Sequence, residues 1–554
     1  MRYDLLIKNG TVVDGTGAPR RQADVAIKDG RVAEIGDIKD SAAQVIDADG
    51  QIVCPGFVDP HTHYDAQITW DKLLSSSAEH GVTTAVMGNC GVGIAPCRPE
   101  ARDLLIGDLV NVEGMEKEVL AAGINWQFET FPEYIDAARK NGSGINRAFL
   151  APLAPFRTYV MGSEATERAA NADETQAITQ LIAEAVQAGA VGFSTTAMLS
   201  HIGHGGKPFA ARVANREELA SYCGVLKRAG RGVIEMALTK QFGRLQDDEY
   251  DLLDFMLTHS GRPVTWLSLH NIPDRPNNVQ EVLDKAAPLI ARGGLPQILT
   301  RPLVSDMNLA RPFQLGEMKS AKALFNAPAE QQLKIYADPA FRAAFKEELK
   351  QGRKWSSKGI TVFKVSNPKL KQFEGATIGD IAQNLNKDPD TVFFDMAVED
   401  KLEMKCVVPR ANTDRARIAE VLNDNRTLIG LSDAGAHVDM FAEAGYTTYL
   451  LGHWVRDKQA LTMEAAIQRV TQHPADYFGF KDRGRLTVGA AADVVVFDPA
   501  TIGSPERASL VRDLPAGGAR MVAKAQGISH VVVNGAALYC DGKHTGDFPG
   551  QVLR

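Results

Sequence analysis

The chain has 554 residues, which at roughly 150 residues per domain suggests three or four domains, although a single α/β barrel absorbs about 250 residues or more. Hydrophobic residues make up 44% and charged residues 23%, a balance that supports a large core and excludes a disordered tail. Lys and Arg number 61 against 68 Asp and Glu, a net charge of −7 without a basic run. That argues against a nucleic-acid binder and against a cationic membrane-surface protein.

The N-terminus, Met1-Arg-Tyr-Asp-Leu-Leu-Ile-Lys-Asn-Gly10, lacks the long apolar core and small-residue cleavage site of a secretory signal. No apolar run reaches the roughly 18 residues a membrane helix needs. The six cysteines, Cys54, Cys90, Cys97, Cys223, Cys406 and Cys540, are scattered and form no CxxC pair. A cytoplasmic enzyme with free thiols is expected.

The first fifty residues read as short strands, Asp4–Lys8, Thr11–Val13, Asp24–Lys28, Arg31–Ile35 and Gln44–Asp47. Asn9-Gly10 and Asp29-Gly30 between them predict hairpins. The last seventy residues are alike, with an apolar β run at Ala492–Asp498 and with His530–Asn534 leading through Asn534-Gly535 into Ala536–Tyr539. The two ends are therefore expected to meet in one small sheet domain. Between them lie eight candidate strands, Ile52–Asp59, Thr83–Met87, Arg147–Pro152, Val191–Thr195, Gly232–Leu238, Pro263–His270, Pro296–Pro302 and Thr427–Ser432. Most are separated by amphipathic helices such as Glu174–Ala188 and Arg216–Arg228, which fits a parallel (β/α)8 barrel better than an open sheet. The long, charged stretch from Val304 to Asn425 includes helices at Pro339–Gln351 and Thr413–Asp424 and a β-like run at Val392–Met396. It is too long for an ordinary loop and reads as an inserted subdomain over the barrel mouth. The expected domains are a β-sandwich from 1–54 with 481–554, a barrel from 55–303 with 426–480, and a helix-rich insertion at 304–425.

The most informative stretch is Cys54-Pro-Gly-Phe-Val-Asp-Pro-His61-Thr62-His63-Tyr64-Asp65. Alternate residues of a strand face one side, so His61 and His63 can both point inward at the end of the first barrel strand and bind a divalent metal. Two ordinary surface or core histidines are the bland alternative. Leu428-Ile-Gly-Leu-Ser432-Asp433-Ala-Gly-Ala-His437 is an apolar strand ending in Ser-Asp at the eighth position. In a closed barrel that strand lies beside the first, which brings Asp433 to His61 and His63. A carboxylate there can ligate metal, take a proton from the attacking water and return it to a leaving group. Ser-Asp is also a common helix N-cap, and His437 either orients substrate or caps the helix that follows.

Gly56-Phe57-Val58-Asp59-Pro60-His61-Thr62-His63 together with Ser432-Asp433 resembles the amidohydrolase superfamily, as does the C-terminal run Asp482-Arg-Gly-Arg-Leu-Thr-Val-Gly-Ala-Ala-Ala-Asp493-Val-Val-Val-Phe497-Asp498. The resemblance implies a metal-dependent barrel flanked by a small β-sandwich made from both chain ends. Gly81-Val-Thr-Thr-Ala-Val-Met-Gly88-Asn89-Cys90-Gly91 is similar to the N-acyl-D-amino-acid deacylases, or D-aminoacylases, in which a cysteine at the end of the second strand is a metal ligand. That role would fall on Cys90, and thiolate suits zinc; a small buried apolar residue is the alternative. The same branch implies a metal-binding histidine at the end of strand five, where this chain reads Gly232-Val-Ile-Glu235-Met-Ala-Leu-Thr-Lys240 without one. Glu235 fills the gap if it faces inward and serves packing if it does not. Strand six keeps a histidine, His270, in a longer register than the branch suggests.

The implied metal set is His61, His63, Cys90, His270 and Asp433, holding one or two zinc ions, with Asp433 as the catalytic acid and base. His201, in the Gly-rich loop Leu199–Lys207, His437 and Arg301 are the candidate substrate contacts. Arg301 suits a bidentate grip on a carboxylate, and a structural ion pair is its rival role. The resulting expectation is zinc-dependent hydrolysis of the amide of an N-acyl-(D-)amino acid, a small-molecule substrate. The missing strand-five histidine keeps open a different bond, such as a cyclic amide, aryl amide or ester, and a metal-poor, non-catalytic barrel is the third option. A homo-oligomer is compatible with the sequence.

Overall fold

The computed structural model describes residues 2–554 apart from 273–274, 311, 313–314, 316–317, 325–326, 351–355, 439–441 and 506–507. The chain mixes α and β elements and divides into two compact units. One runs from the N-terminus to Arg301 and resumes at Asp414–Arg554; the other is Pro302–Thr413.

In the first unit, strands from both ends of the chain share hydrogen bonds. Ile52–Pro55 pairs in parallel with Thr11–Val12 on one side and antiparallel with Val494–Phe497 on the other, and Ile528–Val533, Ala536–Cys540 and Lys543–His544 continue the sheet. A second sheet is ordered Arg31–Gly36, Asp24–Lys28, Tyr3–Lys8, Ala42–Asp47. One apolar cluster takes Leu5, Ile7, Val25 and Ile27 from the second sheet and Val53, Val494, Val496 and Val532 from the first. Two-residue turns fix the register of three hairpins. Asp29-Gly30, Asn534-Gly535 and Asp541-Gly542 all have positive φ at both positions, the backbone whose twist matches that of the flanking strands. Asn9-Gly10 is different: it carries the chain from one sheet to the other instead of closing a hairpin. Any Cβ on Gly10 would lie 2.4 Å from Val53 Cγ2.

The run expected as one strand from Ile52 to Asp59 is broken at Pro55-Gly56. Its second half, Phe57–Asp59 with His61–Thr62, opens a series of parallel runs. Phe57–Asp59 pairs with Val82–Met87, which pairs with Asn146–Phe149. Ala151–Pro152 then pairs with Gly192–Thr196, and the pairing passes to Val233–Ala237, Val264–Leu267, Gly294–Ile298 and Leu428–Ile429. Leu431–Ala434, the continuation of this eighth run, pairs in parallel with His61–Thr62, so the pairing returns to the strand where it began. Val82–Met87 and Val233–Ala237 are buried along their whole length, which is why they show no apolar–polar alternation. Val58, Val86, Leu150, Val191, Val233, Leu295 and Leu428 pack with Phe478 and Phe480 in one cluster.

Several of the helices between runs start at strong caps. Asn171 and Asn215 each accept from the backbone N–H three residues on, and Glu174 and Glu218 return the bond, opening Ala172–Ala188 and Arg216–Ala229. In the second unit, Leu303–Asn308, Lys405–Ala411 and Thr361–Lys364 form an antiparallel sheet. Val392–Met396 lies inside the helix Pro389–Glu399, against the β expectation. Asp388 caps that helix and Pro389 presets its first turn, so the start signal outweighs the β preference of Val392, Phe393 and Phe394. Those three side chains are buried with Tyr336, Phe341 and Phe345.

Glu218 is fully buried. Its carboxylate accepts from Ala170 N at 2.9 Å, Tyr222 Oη at 3.0 Å and the fully buried guanidinium of Arg157. Glu218→Ala leaves Arg157 as an uncompensated buried charge and should cost about 3–5 kcal/mol, read as a fall in the unfolding midpoint. His80 is equally buried, with Nδ1 2.8 Å from Thr448 Oγ1 and Nε2 2.7 Å from Ala523 O. Burial pushes its pKa down from 6.5 to about 4. Below pH 6.5 the unfolded chain therefore takes up a proton that the folded chain refuses, so the His80 contribution is full above 6.5 and lost as pH falls toward 4. The loss is on the order of 3 kcal/mol. Between pH 7 and pH 4.5, the unfolding midpoint of wild type should fall more steeply than that of His80→Gln.

Candidate metal centre

Pairing of the first and eighth runs builds the centre. Leu431 stands opposite His61 and Ala434 opposite Thr62, so two extra residues bulge from the eighth run between those pairs. Asp433 lies in that bulge with φ of 47°, and the backbone turn brings its carboxylate toward the two histidines. Asp433 Oδ1 is 3.1 Å from His61 Nε2 and 3.7 Å from His63 Nε2. Gly435 follows at φ of 98°, where a Cβ would meet His63 O at 2.5 Å. Ser432 does not cap a helix: its Oγ lies 2.6 Å from Asp59 Oδ2 and 2.9 Å from His61 O, tying the two runs together.

His61 and His63 are buried, with their Nε2 atoms 3.3 Å apart. Cys90 Sγ is 3.6 Å from His61 Nε2. The ligand atoms of His61, His63 and Cys90 all lie within 4.8 Å of one another. Cys90 sits just past the second run in a short turn, Asn89–Gly91, with φ of 57°. Its N–H donates to Glu235 Oε2 at 2.5 Å. Glu235 thus faces inward from the fifth run, fully buried, and its Oε1 is 3.9 Å from His61 Nδ1. Asp65, also buried, accepts from Gly88 N at 3.2 Å.

Glu113 is the member that sequence reasoning missed. It ends the helix Arg102–Glu113, before the left-handed Gly114, and places Oε2 3.6 Å from His63 Nε2 and 3.9 Å from His437 Nε2. The N–H of His437 donates to Glu113 O at 2.6 Å. A lone acid at the end of a helix between strands carries no motif that would single it out.

The electrostatics reflect many acids in little water. Burial raises the carboxyls of Asp59, Asp65 and Glu235 to about 7 in each case. Burial would lower His63, but Glu113 and Asp433 outweigh it and lift it to about 9. Burial would raise Asp433, but the imidazoles of His61 and His63 hold it well below the usual carboxylate range. Burial first, then the neighbouring carboxylates, push the Cys90 thiol well above its ordinary value.

The other candidates lie apart from this cluster or on its edge. His201 Nδ1 is 3.0 Å from Thr196 Oγ1, and burial lowers its pKa to about 4. His270 falls three residues beyond the sixth run, which stops at Leu267; its Nε2 is 2.7 Å from Ser268 Oγ and its ring lies edge-on to Phe242. It is not one of the residues whose ligand atoms converge. Arg301 lies beyond the end of the seventh run at Ile298. Its Nη2 donates to Ser504 Oγ at 2.8 Å and Pro505 O at 3.0 Å, and its guanidinium sits 4.6 Å from the Tyr449 ring centre. The guanidinium thus already has partners within the chain.

The cluster fits a borderline-soft divalent ion. Two imidazole nitrogens, a thiol sulfur and a carboxylate oxygen converge, a donor set suited to zinc. The two imidazole Nε2 atoms face each other at 3.3 Å, and the buried Nδ1 atoms of both rings have no hydrogen-bond partner. The amidohydrolase family model matches residues 44–539. The chain belongs to the amidohydrolase family. This amidohydrolase is 28% identical to a D-aminoacylase of Alcaligenes xylosoxydans xylosoxydans over 100% of its own length and 97% of that protein's. It is 29% identical to an N-acyl-D-glutamate deacylase of the same organism over 100% and 97%. The solved N-acyl-D-glutamate deacylase of Bordetella bronchiseptica, complexed with zinc and a phosphonate mimic of the tetrahedral intermediate, superposes with a TM-score of 0.66. The identity is 27%, and all of both chains is covered.

Proposed function

We propose that this amidohydrolase is a zinc-dependent deacylase of N-acyl-D-amino acids, built on a (β/α)8 barrel with a β-sandwich made from both chain ends. The observation that carries the reading is the convergence of His61, His63 and Cys90 beside Asp433, on runs one, two and eight. Full-length similarity to the D-aminoacylase and the N-acyl-D-glutamate deacylase supports the substrate class.

His61, His63, Cys90 and Asp433 would hold the ion, with the thiol ionised. When bound, zinc supplies Lewis acidity and brings the pKa of water toward about 7. The chain's residues handle the proton. Asp433 is the proposed base: its side chain is 37% exposed, so it meets incoming water, while its carboxylate is held ionised by the adjoining imidazoles. It takes the proton of the water that attacks the amide carbonyl and returns it to the departing amine. Ser432 and Asp59 fix the bulge that aims it. His437 and His201 are the proposed substrate contacts.

Asp433→Asn removes the proton acceptor but not the side-chain volume. It should lower kcat on N-acetyl-D-amino acids by about 10²–10⁴-fold with the unfolding midpoint unchanged, and wild-type turnover in that variant refutes the assignment. Prolonged dialysis against a chelator should abolish amine release and zinc should restore it. Hydrolysis of N-acyl-L-amino acids, cyclic imides or aryl amides without turnover of the D-amides would overturn the substrate class.

A further inference from the structure

We propose that Glu235 is a positioning residue for two ligands of this centre, holding the Cys90 turn with one carboxylate oxygen and facing His61 Nδ1 with the other. The proposal rests on the zinc-site reading above and concerns a residue where the expected strand-five histidine is absent.

The geometry assigns the two oxygens separately. Oε2 accepts the Cys90 N–H at 2.5 Å. Cys90 is held in the left-handed region, at φ of 57°, a strained conformation for a non-glycine residue that needs surrounding contacts to persist. A buried carboxylate on its N–H is such a contact, and the turn it stabilises brings Sγ within 3.6 Å of His61 Nε2. Oε1 has no hydrogen-bond partner, and neither has His61 Nδ1, 3.9 Å away. Both side chains are fully buried.

A neutral imidazole carries one N–H. A carboxylate beside Nδ1 favours that proton on Nδ1 and leaves the Nε2 lone pair facing His63, Cys90 and Asp433, the side where the donors converge. The register of the fifth run decides this. Glu235 stands opposite Ser194 of the fourth run and Thr265 of the sixth, fully buried, on the face toward Cys90. Glu235 is not itself assigned as a ligand, because its oxygens address Nδ1 of His61 and the Cys90 backbone, not the space between the Nε2 atoms and the thiol.

The test is zinc affinity, measured by competition with a chromophoric chelator, together with the thiolate-to-metal charge-transfer band of the cobalt(II)-loaded protein. Glu235→Gln keeps the shape, but its amide offers one oxygen for two contacts. When the oxygen stays on the Cys90 N–H, the NH2 faces Nδ1 and favours the wrong tautomer. Zinc affinity should fall roughly 10–100-fold while the cobalt–thiolate band stays in place, since the ligands are unchanged. Wild-type affinity in the Gln variant overturns the proposal. So does an affinity drop well beyond that range with the thiolate band retained, which is how a lost carboxylate ligand behaves. If the Gln variant does not fold, Glu235→Asp is measured instead; one methylene shorter, it cannot span both contacts, and the same weakening with the band retained is expected, wild-type affinity again being fatal. A wild-type protein that binds no zinc sinks the centre itself, and the role of Glu235 with it, whereas a zinc-binding wild type with an indifferent Glu235 sinks only the latter.

Discussion

Pairing of the eighth parallel run with the first is the constraint on which the centre depends. Ser432 and Asp59 are 373 positions apart in the chain, yet their side chains meet at 2.6 Å. The contact exists because eight parallel pairings run in series from the first run through the last and back to the first. Remove that closure and His61 and His63 remain on one strand without the acid that faces them. The chain leaves this unit at Arg301 and returns at Asp414, and the pairing of Gln297 with Leu428 holds across the departure.

A second regularity is the excess of acids. Asp59, Asp65, Glu113, Glu235 and Asp433 surround two imidazoles and a thiol, and all but Asp433 are buried. Burying carboxylates together is costly, which is why three of them are pushed to about 7. Such a grouping persists where a cation offsets it, because a positive ion lowers the cost of every carboxylate and of the thiolate at once. The chemistry of the donors and the electrostatics of their surroundings therefore point to the same occupant.

Much of this was legible in the sequence. His61-Thr62-His63 alternates along a strand, and Ser432-Asp433 ends an apolar run, so local pattern was enough to nominate them. The second-strand cysteine came from resemblance, not from pattern. Glu235 could not be oriented from the sequence because a parallel strand buried on both faces shows no alternation to read. Glu113 was invisible for a different reason: its position follows from where a helix ends, and a helix end moves by a residue or two without any mark in composition. His270 and Arg301 lie beyond their strand ends, where strand periodicity no longer gives a direction. Val392–Met396 shows the limit of propensity, since one capping residue, Asp388, redirected a β-preferring run into a helix.

The strand Ile52–Pro55, only six residues before His61, is completed by Val494–Phe497, and Gly56 N–H bonds to Asp493 O. During synthesis the histidine-bearing segment therefore leaves the ribosome long before its neighbour exists. Contacts of such separation are late and slow to form. Until nearly the whole chain has been translated, the strand that leads into His61 and His63 lacks the central partner of its sheet, so the footing of that segment is completed only by the last tenth of the chain.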